Sequence, residues 1–292
     1  MSLPPSGFSS ARPAATDADY ALGRTGAEHT RLMDQAALLR PSTARLLGAA
    51  GVTAGMRVLD VGCGVGDVSF LAAEFVGPAG QVVGVDLDAT ALTLAEERRA
   101  NLRLAQVRFL QGDARDAEIG TEFDAVIGRL VLMYHADPTE SLRRLARRLR
   151  PGGIVALQEI ASGVTSWQIP QLPLATNVLH WIKGAFVASG AHVNLGWELY
   201  WRMLDAGLEP HPAPLVELPL EAGPDSAAYA RLATLVRSLR PTIVRIGLAT
   251  EDETDPTTLP QRLRAEALAA RTTVPIFSGL FVGQWGRKRA HE

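Results

Sequence analysis

Cysteine is nearly absent from this chain: among 292 residues only Cys63 carries a thiol. One thiol excludes an internal disulfide framework and any zinc site built from several cysteines of the chain. An excess of either charge is missing too, since 29 lysines and arginines face 31 aspartates and glutamates, a net charge of −2. Without a global field, nucleic acid and anionic membranes are poor partners, and a neutral or apolar small molecule fits better. Long hydrophobic runs are also lacking; stretches such as 153–157 fall far short of the ~20 residues that span a bilayer. Residues 1–16 are rich in proline, serine and alanine but have no cationic segment followed by an apolar run, so no secretory signal is expected. The expectation is a mobile tail on a cytoplasmic protein.

Hydrophobic residues make up 47% of the chain, enough for one substantial core or a core with a smaller cap. Between 56 and 159, short β-branched runs alternate with helical patterns, the signature of βαβ units and a parallel sheet. Strands are expected at 57–61, 81–85, 107–110, 123–127 and 154–158, and helices at 67–75, 89–104 and 139–149. The last helix is expected to stop at Pro151-Gly152-Gly153. Upstream, 25–50 reads as helical with a break at Pro41, an element able to close over a ligand. Beyond Glu159 the alternation lapses, and 162–194 reads as an inserted cap containing Trp167, His180, Trp181 and Phe186. A helix near 195–206, a strand within 215–220, helices near 226–239 and 257–270, and a last strand within 276–285 complete the chain. The organisation is thus a tail (1–19), a helical lid (20–50), a nucleotide-binding core (51–160), a cap insertion (161–195) and a segment completing the sheet with further cap helices (196–292).

The densest motif is Val58-Leu59-Asp60-Val61-Gly62-Cys63-Gly64-Val65-Gly66-Asp67, a strand running through a glycine loop into a helix. Glycines let the backbone turn sharply and approach a ligand closely. The second strand ends at Asp86-Leu87, where a carboxylate can accept both hydroxyls of a ribose. The third ends at Gly112-Asp113-Ala114, beside the same crevice. Each aspartate alone could cap a turn or a helix; their joint spacing argues for a nucleoside site.

These residues resemble the class I S-adenosylmethionine (SAM)-dependent methyltransferases, especially the branch of ubiquinone and menaquinone C-methyltransferases. The resemblance implies an α/β, Rossmann-like fold: a mostly parallel seven-stranded sheet flanked by helices, with an N-terminal helical segment and an inserted substrate cap. It implies that the loop from Asp60 through Gly62, Cys63, Gly64 and Gly66 holds the methionine part of SAM. Asp86, followed by Leu87, would bind the ribose, and Asp113, between Gly112 and Ala114, would lie near the adenine. Arg129-Leu130 resembles the segment that lines the cofactor on its methyl side, with Tyr134 closing that wall. The rival is a dinucleotide cofactor, but Asp67 stands where its loop needs a small residue and would sit poorly beside pyrophosphate.

Methyl transfer from a sulfonium requires alignment of a nucleophile and, for some acceptors, removal of a proton; no metal is expected. Trp167, Trp181, Trp197 and Trp201 are expected to line an aromatic substrate pocket, although the last two, at i and i+4, also fit a core stripe. Proton acceptors or substrate anchors are sought among Tyr20, His135, Glu159, His180 and His192. Tyr20-Ala21-Leu22-Gly23, with Glu28 and Arg31-Leu32, resembles a segment of bacterial tailoring methyltransferases, some of which methylate indole C3. That resemblance implies C-methylation of an aromatic or apolar small molecule in a natural-product pathway, with O- or N-methylation, a non-catalytic SAM-binding subunit and an NAD-dependent oxidoreductase as alternatives. A quinone acceptor is disfavoured because Arg115-Asp116-Ala117-Glu118 replaces the expected Leu-Pro-Phe. The segment after the fourth strand lacks the nucleobase-methylating motif. Arg143, Arg144, Arg147 and Arg148 read as the solvated face of an amphipathic helix. A homodimer is compatible with apolar surface on the cap or at 276–282.

Overall fold

The computed structural model describes residues 26–116, 118–162, 172–275 and 279–290. Tyr20 and Trp167 therefore lie outside the described residues, as does the whole tail (1–19).

Five parallel strands form the centre: β1 (Arg57–Val61), β2 (Gln81–Asp86), β3 (Val107–Gln111), β4 (Phe123–Arg129) and β5 (Leu149–Ala161). Near the end of the chain, β10 (Leu280–Lys288) runs antiparallel to β5 and is followed across the sheet by β6 (Leu208–Pro210), giving the order β3-β2-β1-β4-β5-β10-β6. The short β7 (Leu215–Glu217) shares the β10 edge, and β8 (Leu220–Glu221) pairs with β9 (Val274–Pro275) apart from the main sheet. This is the expected α/β fold.

Alternation along each strand feeds two cores, because successive side chains leave a strand on opposite faces. Leu59, Val83, Val126, Val155 and Leu157 face one layer, while Val58, Val82, Ala125, Ile127, Ile154 and Ala156 face the other. The second layer is covered by α1 (Gly26–Ala50) and α2 (Asp67–Val76). The first is covered by α4 (Pro138–Ala146), α5 (Pro173–Ala188), α6 (Leu195–Asp205), α7 (Ala228–Arg245) and α8 (Leu259–Ala270). Between β2 and β3, α3 (Ala89–Leu102) starts at Asp88, whose side chain accepts the Thr90 and Ala91 N–H groups. Asp137 caps α4 in the same way, with Pro138 in the first turn.

Three expectations are corrected. The helix expected at 139–149 ends at Ala146, because fully buried Leu149 pairs with Phe123 as the first residue of β5. Pro151-Gly152-Gly153 is then absorbed where the β4–β5 register shifts, instead of ending a helix. The break expected at Pro41 is also absent: α1 is one 25-residue helix. Proline cannot donate to the carbonyl four residues back, and the next two hydroxyls, of Ser42 and Thr43, lie 2.8 and 3.0 Å from the Leu39 carbonyl. Finally, Phe281 and Val282 are 1% and 2% exposed within β10, so that part of 276–282 offers no dimer surface.

Candidate active site

The cofactor motif lies at the carboxyl ends of β1, β2 and β3, around the β1–β4 boundary where strand order reverses. A cavity of about 290 Å³ opens there, lined at one end by Gly62, Cys63, Gly64, Asp86, Leu87, Gly112, Asp113 and Ala114. Gly62, Gly64 and Gly66 all have positive φ (64°, 51° and 91°). A Cβ on Gly62 would come within 2.5 Å of Val131, and one on Gly66 within 2.7 Å of Phe70, so both glycines are required for packing as well as for the turn. Gly66 itself does not line the cavity; it starts α2.

The Asp86 carboxylate is already oriented, with the Gly64 N–H 2.7 Å from Oδ2 and the Asp88 N–H 2.9 Å from Oδ1. Each oxygen keeps further acceptor capacity, which suits the two hydroxyls of a ribose. Asp60 lies below the loop at 1% exposure and accepts a 2.6 Å bond from Ser69 Oγ. Burial raises its pKa to about 7 against the opposing effects of Ser69 and Arg129. It shapes the loop from beneath and does not line the cavity.

Where β4 ends, Arg129 enters the cavity wall, and Arg129 Nη1 donates to Thr43 Oγ1 of α1 at 3.1 Å. Thr43 Oγ1 is in turn 2.8 Å from Gln158 Oε1, and Gln158 Nε2 donates to Ser42 Oγ at 2.9 Å. Desolvation lowers the Arg129 pKa, opposed by the charges of Asp67 and Asp60. Leu130, with φ 56°, holds a left-handed conformation costly for a leucine, fixed by its N–H to the Gln158 carbonyl at 2.8 Å. A short 3-10 turn, Leu132–Tyr134, follows. Glu159, fully buried, accepts the Val131 and Leu132 N–H groups at 3.0 and 2.8 Å through Oε1. Glu159 thus supports this turn from below and does not reach the cavity as a base. Tyr134 and His135 do line it, and burial raises the Tyr134 phenol's pKa well above its ordinary value.

At the third-strand side, Arg115 clamps Asp113: Nε donates to both oxygens at 2.9 and 3.0 Å, and Nη2 forms an ion pair. Partial burial pushes the Asp113 pKa up, but hydrogen bonds and charge from Arg115, with His135, outweigh it and hold the net value below the usual one.

Helix α1 closes one side through Arg31, Leu32 and Gln35. Arg31 is itself locked, donating to both Glu28 oxygens at 2.7 and 2.6 Å and to Gln35 at 2.5 Å. Nearby, His29 Nε2 lies 3.4 Å from Asp88 Oδ2. The remaining wall is apolar apart from the buried Ser162: Ile160, Ile182, Phe186, Val193, Leu235 and Phe281.

The expected aromatic wall is different in detail. Trp181 is buried in the helical core layer, while Trp197 and Trp201 are 48% and 64% exposed on α6; none lines the cavity. On α6 the core stripe is instead Leu195, Leu199 and Met203. His180 is exposed, and His192, partly buried, stands outside the lining. Gln35, one turn after Arg31, was legible as a neighbour on the same helical face. Leu235 and Phe281 carry no local signal, because distant elements bring them to the site.

A methyltransferase-domain family matches residues 52–196. The ubiquinone/menaquinone biosynthesis C-methyltransferase of Pseudomonas savastanoi pv. phaseolicola is 30% identical over 200 residues, 65% of this chain and 75% of that protein. Nocamycin O-methyltransferase of Saccharothrix syringae is 37% identical over 119 residues, 40% of this chain and 42% of the relative. The chain spans less than half the length of the first curated relatives it matches. The crystal structure of the YcgJ protein of Bacillus subtilis shares the fold at a TM-score of 0.52 and 20% identity, covering 86% of this chain and 99% of that one. The glycine loop, the paired strand-end carboxylates, the sheet order and these relatives agree: the chain belongs to the class I methyltransferases that use S-adenosylmethionine as methyl donor.

Proposed function

We propose that this protein transfers a methyl group from SAM to a small apolar or aromatic molecule. The observation that carries the reading is one cavity joining the Gly62–Gly64 loop and Asp86 to an apolar wall of Ile160, Ile182, Phe186, Leu235 and Phe281. Bound SAM supplies an electrophilic methyl group on a sulfonium. The chain's own part is to orient and to exclude water: Asp86 fixes the ribose, the turn carrying Val131 and Met133 shapes the methyl side, and the apolar wall holds the acceptor. Among the described residues His135 is the histidine lining the cavity, and it takes the proton where the acceptor has one to lose. The half-buried Tyr134 keeps its phenol protonated, since desolvation raises its pKa, and serves as a hydrogen-bond donor.

The finer reading is C-methylation of an electron-rich ring, of the indole C3 type, in natural-product tailoring. Such a carbon nucleophile needs little base beyond one imidazole. Calorimetry with SAM, S-adenosylhomocysteine and NAD tests the donor: both SAM ligands bind, Asp86→Ala weakens both by roughly tenfold or more, and NAD does not bind. Selective NAD binding overturns the reading. Incubation with SAM and a panel of indoles, phenols and amines, read by mass for one added methyl, tests the acceptor class; methylation confined to phenols or amines replaces the C-methyl reading with an O- or N-methyl one.

A further inference from the structure

We infer that the acceptor is an acid, an apolar body carrying one carboxylate, and that Lys183 on α5 receives that carboxylate. The inference rests on the methyltransferase reading above and names the substrate class of the same cavity.

Charge is divided unequally along the cavity. Its carboxylates, Asp67, Asp86, Asp88 and Asp113, all lie at the end of β2 or in the segments that follow β1, β2 and β3. From Ile160 to the end of the chain, every residue in the wall is apolar apart from Ser162, and none of them ionises. The helices over this end supply no acid either: neither α5 nor α7 contains an aspartate or a glutamate. An ammonium-bearing acceptor would lose its water there without meeting a carboxylate, and a desolvated charge is costly unless it is paired. A neutral or anionic acceptor escapes that cost only if an anion, where present, finds a cation.

Lys183 brings one. The chain has just two lysines, Lys183 and Lys288. Lys183 follows the wall residue Ile182 on α5, and its ammonium donates at 3.3 Å to the carbonyl of Ser162, another wall residue. Ser162 N–H donates in turn to the carbonyl of Val193, also in the wall, at 2.8 Å. Lys183 is partly buried and forms no ion pair among the described residues. The other cations of the cavity are placed differently. Arg31 and Arg115 are each neutralised by a carboxylate, of Glu28 and Asp113, and Arg129 stands beside the glycine loop. An ammonium has three donors on a flexible stem, so Lys183 can keep the Ser162 carbonyl and turn the others to a ligand. An apolar chamber with a cation at its edge suits an amphiphilic acid: the body displaces water from the wall, and the carboxylate stays at the edge with the lysine.

The test uses the full chain saturated with S-adenosylhomocysteine and matched series of acid, primary amide and amine, built on an indole, a naphthalene and an octyl chain, with binding read by calorimetry. In at least one series the acid binds roughly tenfold or more tighter than its amide, and the amine binds weakest. In Lys183→Met that acid-to-amide ratio collapses towards unity, whereas Lys183→Arg keeps it; formation of the S-adenosylhomocysteine complex by each variant reports an intact fold. Lys288, bonded to the Leu149 carbonyl at 2.7 Å at the far end of β5, serves as an internal reference. The bound acid slows acetylation of Lys183 relative to Lys288, and the amide does not. An acid preference retained in Lys183→Met overturns the role of Lys183. A wild-type preference for amide or amine, or no acid bound in any series, overturns the acidic acceptor and leaves the methyltransferase reading standing. Failure to bind S-adenosylhomocysteine, before any acceptor is added, overturns that reading itself.

Discussion

At Glu159, one carboxylate oxygen accepts the N–H groups of Val131 and Leu132, with Met133 adding to them, while Oε2 has no hydrogen-bond partner among the described residues. Burial outweighs these donors and raises the pKa from 4.5 to about 7. The folded state therefore holds a proton that the unfolded chain has already lost between these values. The stability this group contributes is full below pH 4.5 and is lost as pH rises through about 7, with a slope of roughly 1.4 kcal/mol per pH unit for one proton. Asp60, also raised to about 7, acts in the same direction. Glu159→Gln is expected to flatten the fall in stability between pH 5 and 7, leaving the share due to Asp60; urea midpoints at three pH values measure it. Identical slopes in both proteins would mean that Glu159 is ionised in the fold.

Among the elements, helix α4 offers a stability test separate from binding. Its cap, Asp137, accepts the Glu140 N–H at 3.0 Å and does not line the cavity. Asp137→Ala should lower stability by about 1 kcal/mol and leave the affinity for S-adenosylhomocysteine unchanged; a loss of affinity would show that α4 positions the preceding turn. The same element shows how far local pattern reaches. Its start, expected at 139, falls one residue from the observed Pro138, but its end, expected at 149, does not hold, because the extended state of Leu149 depends on pairing with Phe123, 26 residues away in the chain. The five central strands and the glycine loop were legible because their signals are local: β-branched runs, glycines and strand-end aspartates. The acceptor wall was not. Helix α6 has apolar residues on two faces, and only packing against β5 and β10 decides that Leu199 and Met203 turn inward while Trp197 and Trp201 face solvent. On α5 the same choice buries Trp181 in the helical layer and gives Ile182 and Phe186 to the cavity.

Taken whole, the molecule builds this cavity from β1, β2, β4, β5, β10, α1, α2, α3, α5 and α7, so a ligand there is bound by groups from most of the chain. At a hundredfold excess over its dissociation constant, S-adenosylhomocysteine should raise the unfolding midpoint by roughly 5 °C. A single transition shifting as a unit is expected; a second transition unmoved by the ligand would mean that the helical layer melts independently. The roof of this cavity also bears on how ligands enter it. Pro41 divides α1 between residues 26–40, which carry Arg31, Leu32 and Gln35, and residues 41–50, which Thr43 ties to Arg129 and Gln158. Without a proline N–H, cooperativity along the helix is weakest at that junction. Were the upstream half to unwind while the downstream half stays docked, a ligand would enter by local breathing of three or four helical turns, with the sheet undisturbed. In hydrogen–deuterium exchange, amides of 28–40 should exchange faster than those of 44–50, and S-adenosylhomocysteine should slow the first set selectively. Equal protection across Pro41 would mean that the whole helix lifts as one rod.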